Sequence, residues 1–135
     1  LLGSSVNSME KELADKVLKV FVSAYVWIAS VDGGVDLAEF HKYEQAIMQS
    51  QFATQFNVED MRRYFKDMVA LFSDDFEAGK NLTKERLQEI RGQDYLVHEV
   101  IRLCRAATVG DFEIKEAEET VLNEIAIILG LTEAI

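Results

Sequence analysis

The sequence DGGVDLAE at residues 32–39 recurs in altered form as DFEIKEAE at residues 111–118. Both copies read Asp, two residues, a β-branched aliphatic residue, two residues, and then Ala-Glu. A long apolar segment precedes each copy and an amphipathic segment follows it. The chain is therefore predicted to be all-α, a compact bundle of about six helices with two pseudo-repeated helix–acidic turn–helix hairpins.

Outward from these turns, apolar residues recur about every 3.6 positions, which is typical of amphipathic helices. No alternation typical of a strand persists. The predicted helices span approximately residues 8–30, 37–48, 58–72, 83–91, 94–108 and 115–129.

Local signals set several of these boundaries. Asn57 is a favourable N-cap for the third helix. Residues 73–81 are predicted to form a loop because they contain two adjacent aspartates, a glycine and an asparagine. Gly130 followed by Leu131 predicts a left-handed C-terminal cap. The residues predicted to point inward include Phe40, Tyr43, Ile47, Met48, Val58 and Met61.

Composition limits the class of protein. The chain has 135 residues, with 24 acidic and 14 basic side chains and a formal charge of −10. That length suits one domain, predicted at residues 8–135 after a flexible tail at 1–7. The single Cys104 excludes a disulfide framework. The negative charge argues against nucleic acid as the main ligand and suits cations or basic partners.

The most apolar stretch, Val20 to Val31, is shorter than the roughly 20 apolar residues that a membrane helix needs. We therefore predict a helix that is buried on most sides, and no membrane span. A single thiol fits a reducing cytoplasm, so the predicted location is cytoplasmic.

The two acidic turns are candidate cation sites. In each hairpin the Asp lies at the C-terminal end of the incoming helix, where the helix dipole disfavours an anion, and the Glu lies in the first turn of the outgoing helix. Carboxylate oxygens are ligands that hard cations prefer. We predict that Ca, Mg, Mn or Zn binds at Asp32, Glu39, Asp111 and Glu118, with Asp36 as a further ligand.

The same residues have a structural interpretation, which stays open. Asp36 and Glu39 have the spacing of a capping box, in which Asp36 is the N-cap and Glu39 reaches back. Asp32 and Asp111 would then accept hydrogen bonds from amides of their own turns. Neither turn has EF-hand spacing, because the sixth position from each Asp is not Gly and the twelfth is not Glu.

Other candidate chemistry is sparse. His41 and Glu44 at spacing i, i+3, and Asp94 and His98 at spacing i, i+4, each place two ligands on one helix face, where a transition metal would bind adventitiously. Cys104 lies on the apolar side of its helix and is predicted to be a buried structural thiol. We expect no enzyme, although two carboxylates acting as general acid and base would be an alternative.

Residues 29–39, ASVDGGVDLAE, resemble the signature turn of the TerB-like tellurite-resistance family. Residues 111–118 and the downstream Ile128-Leu129-Gly130-Leu131 are similar to the family's second half. The resemblance implies an all-helical bacterial domain, cytoplasmic or peripheral to the inner membrane, linked to tellurite resistance and related stress responses. It also implies a metal-binding or protein-interaction module whose acidic residues match Asp32, Glu39, Asp111 and Glu118.

Together these observations predict a non-catalytic adaptor that binds a divalent metal and other proteins of a stress-response complex. The alternative is a metal-independent helical scaffold that binds proteins and uses the acidic residues only as caps. The sequence leaves the oligomeric state open.

Overall fold

The structure, a computed structural model, describes residues 2–31, 35–50, 52–108 and 116–131. These residues form six α-helices and one short 3-10 helix, and no strand lies among them. The predicted all-α class and helix number are therefore confirmed. The helices are α1 (Leu2–Ser30), α2 (Leu37–Met48), α3 (Val58–Asp74), α4 (Phe76–Glu89), α5 (Asp94–Thr108) and α6 (Glu116–Ile128), and the 3-10 helix is Ala53–Gln55.

Helix α1 is the centre of the bundle and packs against α3, α4, α5 and α6. Its middle is apolar on every side, so neighbouring helices cover all of its faces. The prediction of a helix that is buried on most sides is confirmed. Among the described residues, no helix combines the length and the apolar character needed to cross a membrane. The fully buried side chains of α1 include Phe21, Val22, Tyr25, Val26, Trp27 and Ile28.

Local capping signals were reliable. The side chain of Asn57 accepts a hydrogen bond from the amide of Asp60 at 3.0 Å, which confirms it as the N-cap of α3. Gly130 has φ +92°, and the amide of Leu131 donates to the carbonyl of Ala126 at 2.9 Å. This arrangement is the predicted left-handed cap at the end of α6, because the donor reaches an otherwise unpaired helix carbonyl.

The predicted loop at residues 73–81 is wrong. α3 continues to Asp74, and α4 begins at Phe76. Asp75 is the N-cap of α4, and its carboxylate accepts a hydrogen bond from the amide of Ala78 at 3.1 Å. The same residue type favours turns and helix starts, so the two helices meet with only one residue between them.

Two residues at helix ends differ from the predicted inward pattern. Met48, the last residue of α2, is 61% exposed, and Val58, the first residue of α3, is 49% exposed. Because α2 ends at Met48 and α3 begins at Val58, neither helix has a further turn there that would help to cover these side chains. α1 also begins at Leu2 rather than near Ser8, whereas the flexibility of residues 1–7 stays a prediction.

Candidate metal centre

The predicted ligands lie at the starts of two helices. Glu39 is in the first turn of α2 and Glu118 is in the first turn of α6. Asp32 and Asp111 lie outside the described residues. Within those residues there is no group of three or more His, Cys, Asp or Glu side chains placed to hold a metal ion. A centre at these turns therefore depends on Asp32 or Asp111.

Both glutamates hold a carboxylate oxygen away from solvent. Glu118 is only 3% exposed, and its Oε1 is buried. Oε2 of Glu39 is also buried, whereas its Oε1 lies 3.9 Å from Nζ of Lys42. A buried carboxylate is stable only beside hydrogen-bond donors or a cation, because burial removes its hydration. The chemistry of these hard oxygen donors fits a divalent cation.

Asp36 has the capping role that the structural interpretation predicted. It is the N-cap of α2, and its Oδ1 accepts a hydrogen bond from the amide of Glu39 at 2.9 Å. This bond fixes the start of α2 and thereby the backbone position of Glu39. The capping half of that interpretation is confirmed, and a role of Asp36 as a metal ligand stays a prediction.

Tyr25 is a buried polar residue of α1 that the sequence pattern did not single out. Its side chain is 0% exposed, and its ring packs edge-on against Tyr43 of α2 at a centroid distance of 5.5 Å. Among the described residues its hydroxyl has no hydrogen-bond partner. Burial raises the pKa of Tyr25, and the nearby carboxylate of Glu39 and the thiol of Cys104 raise it further. In the sequence, Tyr25 is one residue of an apolar run, which gave no sign of a polar role.

The first histidine pair has competing partners. Nδ1 of His41 lies 3.9 Å from Oε1 of Glu44, but Oε2 of Glu44 accepts hydrogen bonds from Nε and Nη2 of Arg62 at 3.3 and 3.2 Å. A metal at this pair would have to compete with a guanidinium that donates two hydrogen bonds to one oxygen of the same carboxylate.

In the second pair, Asp94 and His98, the histidine ring contacts the main chain of its partner. Nδ1 of His98 lies 2.7 Å from the main-chain oxygen of Asp94. Only Nε2 of that ring is therefore open to a metal ion. Adventitious binding of a transition metal at either pair stays a prediction.

A groove of about 490 Å³ lies between α2 and α3, next to the N-cap of α2. Its apolar lining is supplied from both helices and from the residue that precedes Asp36, and Asp36, Lys66 and Asp74 also line it. The apolar residues in the groove are Val35, Phe40, Phe65, Val69 and Ala70.

Cys104 is buried in α5 and 0% exposed, as expected for a structural thiol. Burial raises its pKa from the ordinary value of 9.0 to about 12. The thiolate is the reactive form, so this position suppresses both nucleophilic attack and metal ligation. Because the folded pKa is the higher one, the stability contributed by the protonated thiol is complete below pH 9.0 and falls as pH rises towards 12.

At pH 8 we expect Cys104 in the folded protein to react with an aromatic disulfide reagent at least ~100-fold more slowly than in the urea-unfolded protein. The reason is the smaller thiolate fraction, together with the lack of access to the buried sulfur. Absorbance of the released thiolate measures both rates. Equal rates in the two states would contradict the inert, structural role.

Comparison with known proteins adds one positive finding. The family model described as "Tellurite resistance protein TerB" matches residues 18–134, which include both acidic turns. The searches of curated proteins and of solved structures give no significant match.

Proposed function

The chain belongs to the TerB family of tellurite resistance proteins, and from this membership we propose that it is a non-catalytic adaptor that binds a divalent cation at its two acidic turns. Its cellular role would be tellurite resistance or a related bacterial stress response, through contacts with other proteins of that response. The ligands would be Asp32, Glu39, Asp111 and Glu118.

One observation carries the proposal. The two hairpins place equivalent glutamates, Glu39 and Glu118, in the first turns of α2 and α6, and each has a buried carboxylate oxygen. Both glutamates also interact with other residues of the chain. A divalent cation at the turns would add a positive charge that compensates further for the lost hydration of these buried oxygens.

The bound cation would act on packing rather than on a substrate. α2 and α6 begin at the candidate ligands, and α1 contacts α6 directly. Neutralising the carboxylates at the starts of both helices would hold the hairpins in one arrangement. A surface built from α2 and its neighbours would then be presented to a partner only in the occupied state.

Calorimetric titration with Ca²⁺, Mg²⁺, Mn²⁺ and Zn²⁺ tests the proposal. The wild-type protein should bind at least one of these ions, and the Glu39→Gln/Glu118→Gln variant should bind it at least ~10-fold more weakly, because each amide removes a ligand charge. The Asp32→Asn/Asp111→Asn variant should show the same loss. The His41→Gln/His98→Gln variant is the matched control and should retain wild-type affinity.

Equal binding by wild type and by both carboxylate variants would exclude the turns as the site. A loss of binding only in the histidine variant would assign the ion to the adventitious pairs. Thermal unfolding gives a second measure of cation binding. An ion that binds only the native state and is present at a concentration 100 times its Kd should stabilise the protein by about 2.7 kcal/mol.

A metal-independent interaction scaffold is the second candidate, and the groove between α2 and α3 favours it. The groove has apolar walls, and its lining also includes the charged residues Asp36, Asp74 and Lys66. It suits a partner segment that inserts an apolar side chain and presents a basic residue to these carboxylates. Under this alternative, adding a chelator or any of the four ions leaves the melting temperature unchanged.

A further inference from the structure

The exposed face of α3 beside the groove carries charges of both signs. Lys66, Ala70 and Asp74 follow one another at intervals of four residues, so they form one ridge of the helix, here called the α3 ridge. All three residues are exposed, and all three line the groove between α2 and α3. The side chains of Lys66 and Asp74 form no ion pair or hydrogen bond with another described residue. Both charges are therefore available to a partner that covers the ridge.

The arrangement of these charges is complementary to itself. Lys66 and Asp74 are eight residues apart, about 12 Å along the helix axis, and Ala70 lies midway between them. When a second copy packs with its α3 antiparallel, about a twofold axis at Ala70, Lys66 of each copy comes opposite Asp74 of the other. A twofold axis makes every such contact twice, because the same patch is used on both copies. The small side chain of Ala70 allows the two helices to approach closely at the axis.

The groove supplies apolar surface for the same contact. Phe40, Phe65 and Val69 line it, and Leu37, three residues before Phe40 in α2, is 71% exposed. The same twofold axis lays the two grooves face to face, so that the apolar side chains of one copy cover those of the other. Removing this apolar surface from water favours association.

We propose that the α3 ridge and its groove are the contact surface of a homodimer, in which two copies pack antiparallel about a twofold axis at Ala70 and Lys66 of each copy pairs with Asp74 of the other. The proposal rests on charge complementarity beside an apolar groove. Complementary charges fix the register and orientation of a contact, and like charges facing each other oppose it. This contact goes beyond the proposed function, since it uses neither a cation nor any of the four proposed ligands.

Sedimentation velocity of the full chain in excess chelator tests the proposal. Wild type should dimerise as the protein concentration rises. Lys66→Glu alone, or Asp74→Lys alone, should weaken dimerisation at least ~10-fold, because each change makes both charge contacts repulsive. An equimolar mixture of the two variants should dimerise with an affinity within about threefold of wild type, since opposite charges face each other again in the mixed pair. Both positions are exposed, so the circular dichroism spectrum should not change.

Lys11→Glu is the matched control, because it makes the same change in net charge as Lys66→Glu at an exposed position of α1 that lies outside the ridge. It should leave dimerisation unchanged. A wild-type protein that stays monomeric up to about 1 mM, where a contact with that Kd would hold half of the chains, overturns the proposal and leaves the groove to a partner segment. A dimer that survives both single variants, or a mixture that stays monomeric, also overturns it. Because chelator is present throughout, these outcomes are independent of cation binding.

Discussion

Replacement of Phe21 by alanine is expected to lower the free energy of unfolding by about 3–5 kcal/mol. Phe21 is 0% exposed in α1, and its ring makes edge contacts with Phe52 and Phe56 at centroid distances of 6.5 and 6.3 Å. The substitution leaves a cavity where the central helix meets the connection between α2 and α3. Domains of this kind have about 5–15 kcal/mol in total, so the variant should be marginally folded.

Urea denaturation followed by the fluorescence of Trp27 measures this loss, since Trp27 is the only tryptophan and is buried in the same helix. Leu13→Ala is the control, because Leu13 lies in α1 but is 48% exposed. It should cost no more than about 1 kcal/mol. Equal losses in the two variants would mean that α1 is not the central, enclosed helix.

Gly79→Ala is expected to destabilise the protein by about 1–3 kcal/mol, although alanine is favoured over glycine by about 1 kcal/mol within a helix. A Cβ atom added at Gly79 would lie 2.9 Å from Cγ and Cδ1 of Phe72. These atoms are at the base of a ring that is only 4% exposed, so the ring cannot swing away. The backbones of α3 and α4 would have to separate.

Chemical denaturation of wild type and four variants (Gly79→Ala, Asn81→Ala, Phe72→Leu and Phe72→Leu/Gly79→Ala) checks the cause. Asn81→Ala, at an exposed position of α4, should leave stability unchanged or raise it slightly. In a Phe72→Leu background, Gly79→Ala should cost less than it does alone, because the ring that it meets is gone. A stabilising effect of Gly79→Ala similar to that of Asn81→Ala would show that the two helices are not in close contact there.

The candidate site was predictable only in part. The repeat predicts Glu39 and Glu118 as ligands, which stays a prediction, and it correctly places both residues in the first turn of a helix. Tyr25 was not predictable, because a tyrosine inside an apolar run has the pattern of any core residue. Its ring contact is with Tyr43, 18 positions later in α2.

The error at residues 73–81 has a related cause. Asp75 and Gly79 both favour turns in isolation. Here Asp75 is the N-cap of α4, and Gly79 is helical where its lack of a side chain permits contact with the ring of Phe72. The capping role is local, but the glycine's role is a contact between two helices. Only the capping role can be predicted from the spacing of residues in the sequence.

By itself the sequence determined the helical class, the extent of α5, and the caps at Asp36, Asn57 and Gly130. These features depend on periodicity and on hydrogen bonds between residues at most five apart, so short segments of the sequence are enough to specify them. The tertiary structure alone decided that Met48 is exposed, that Gly79 is helical, and that the ring of Tyr25 packs against that of Tyr43. Those outcomes depend on which helices pack together, because burial and contact are properties of residues far apart along the chain.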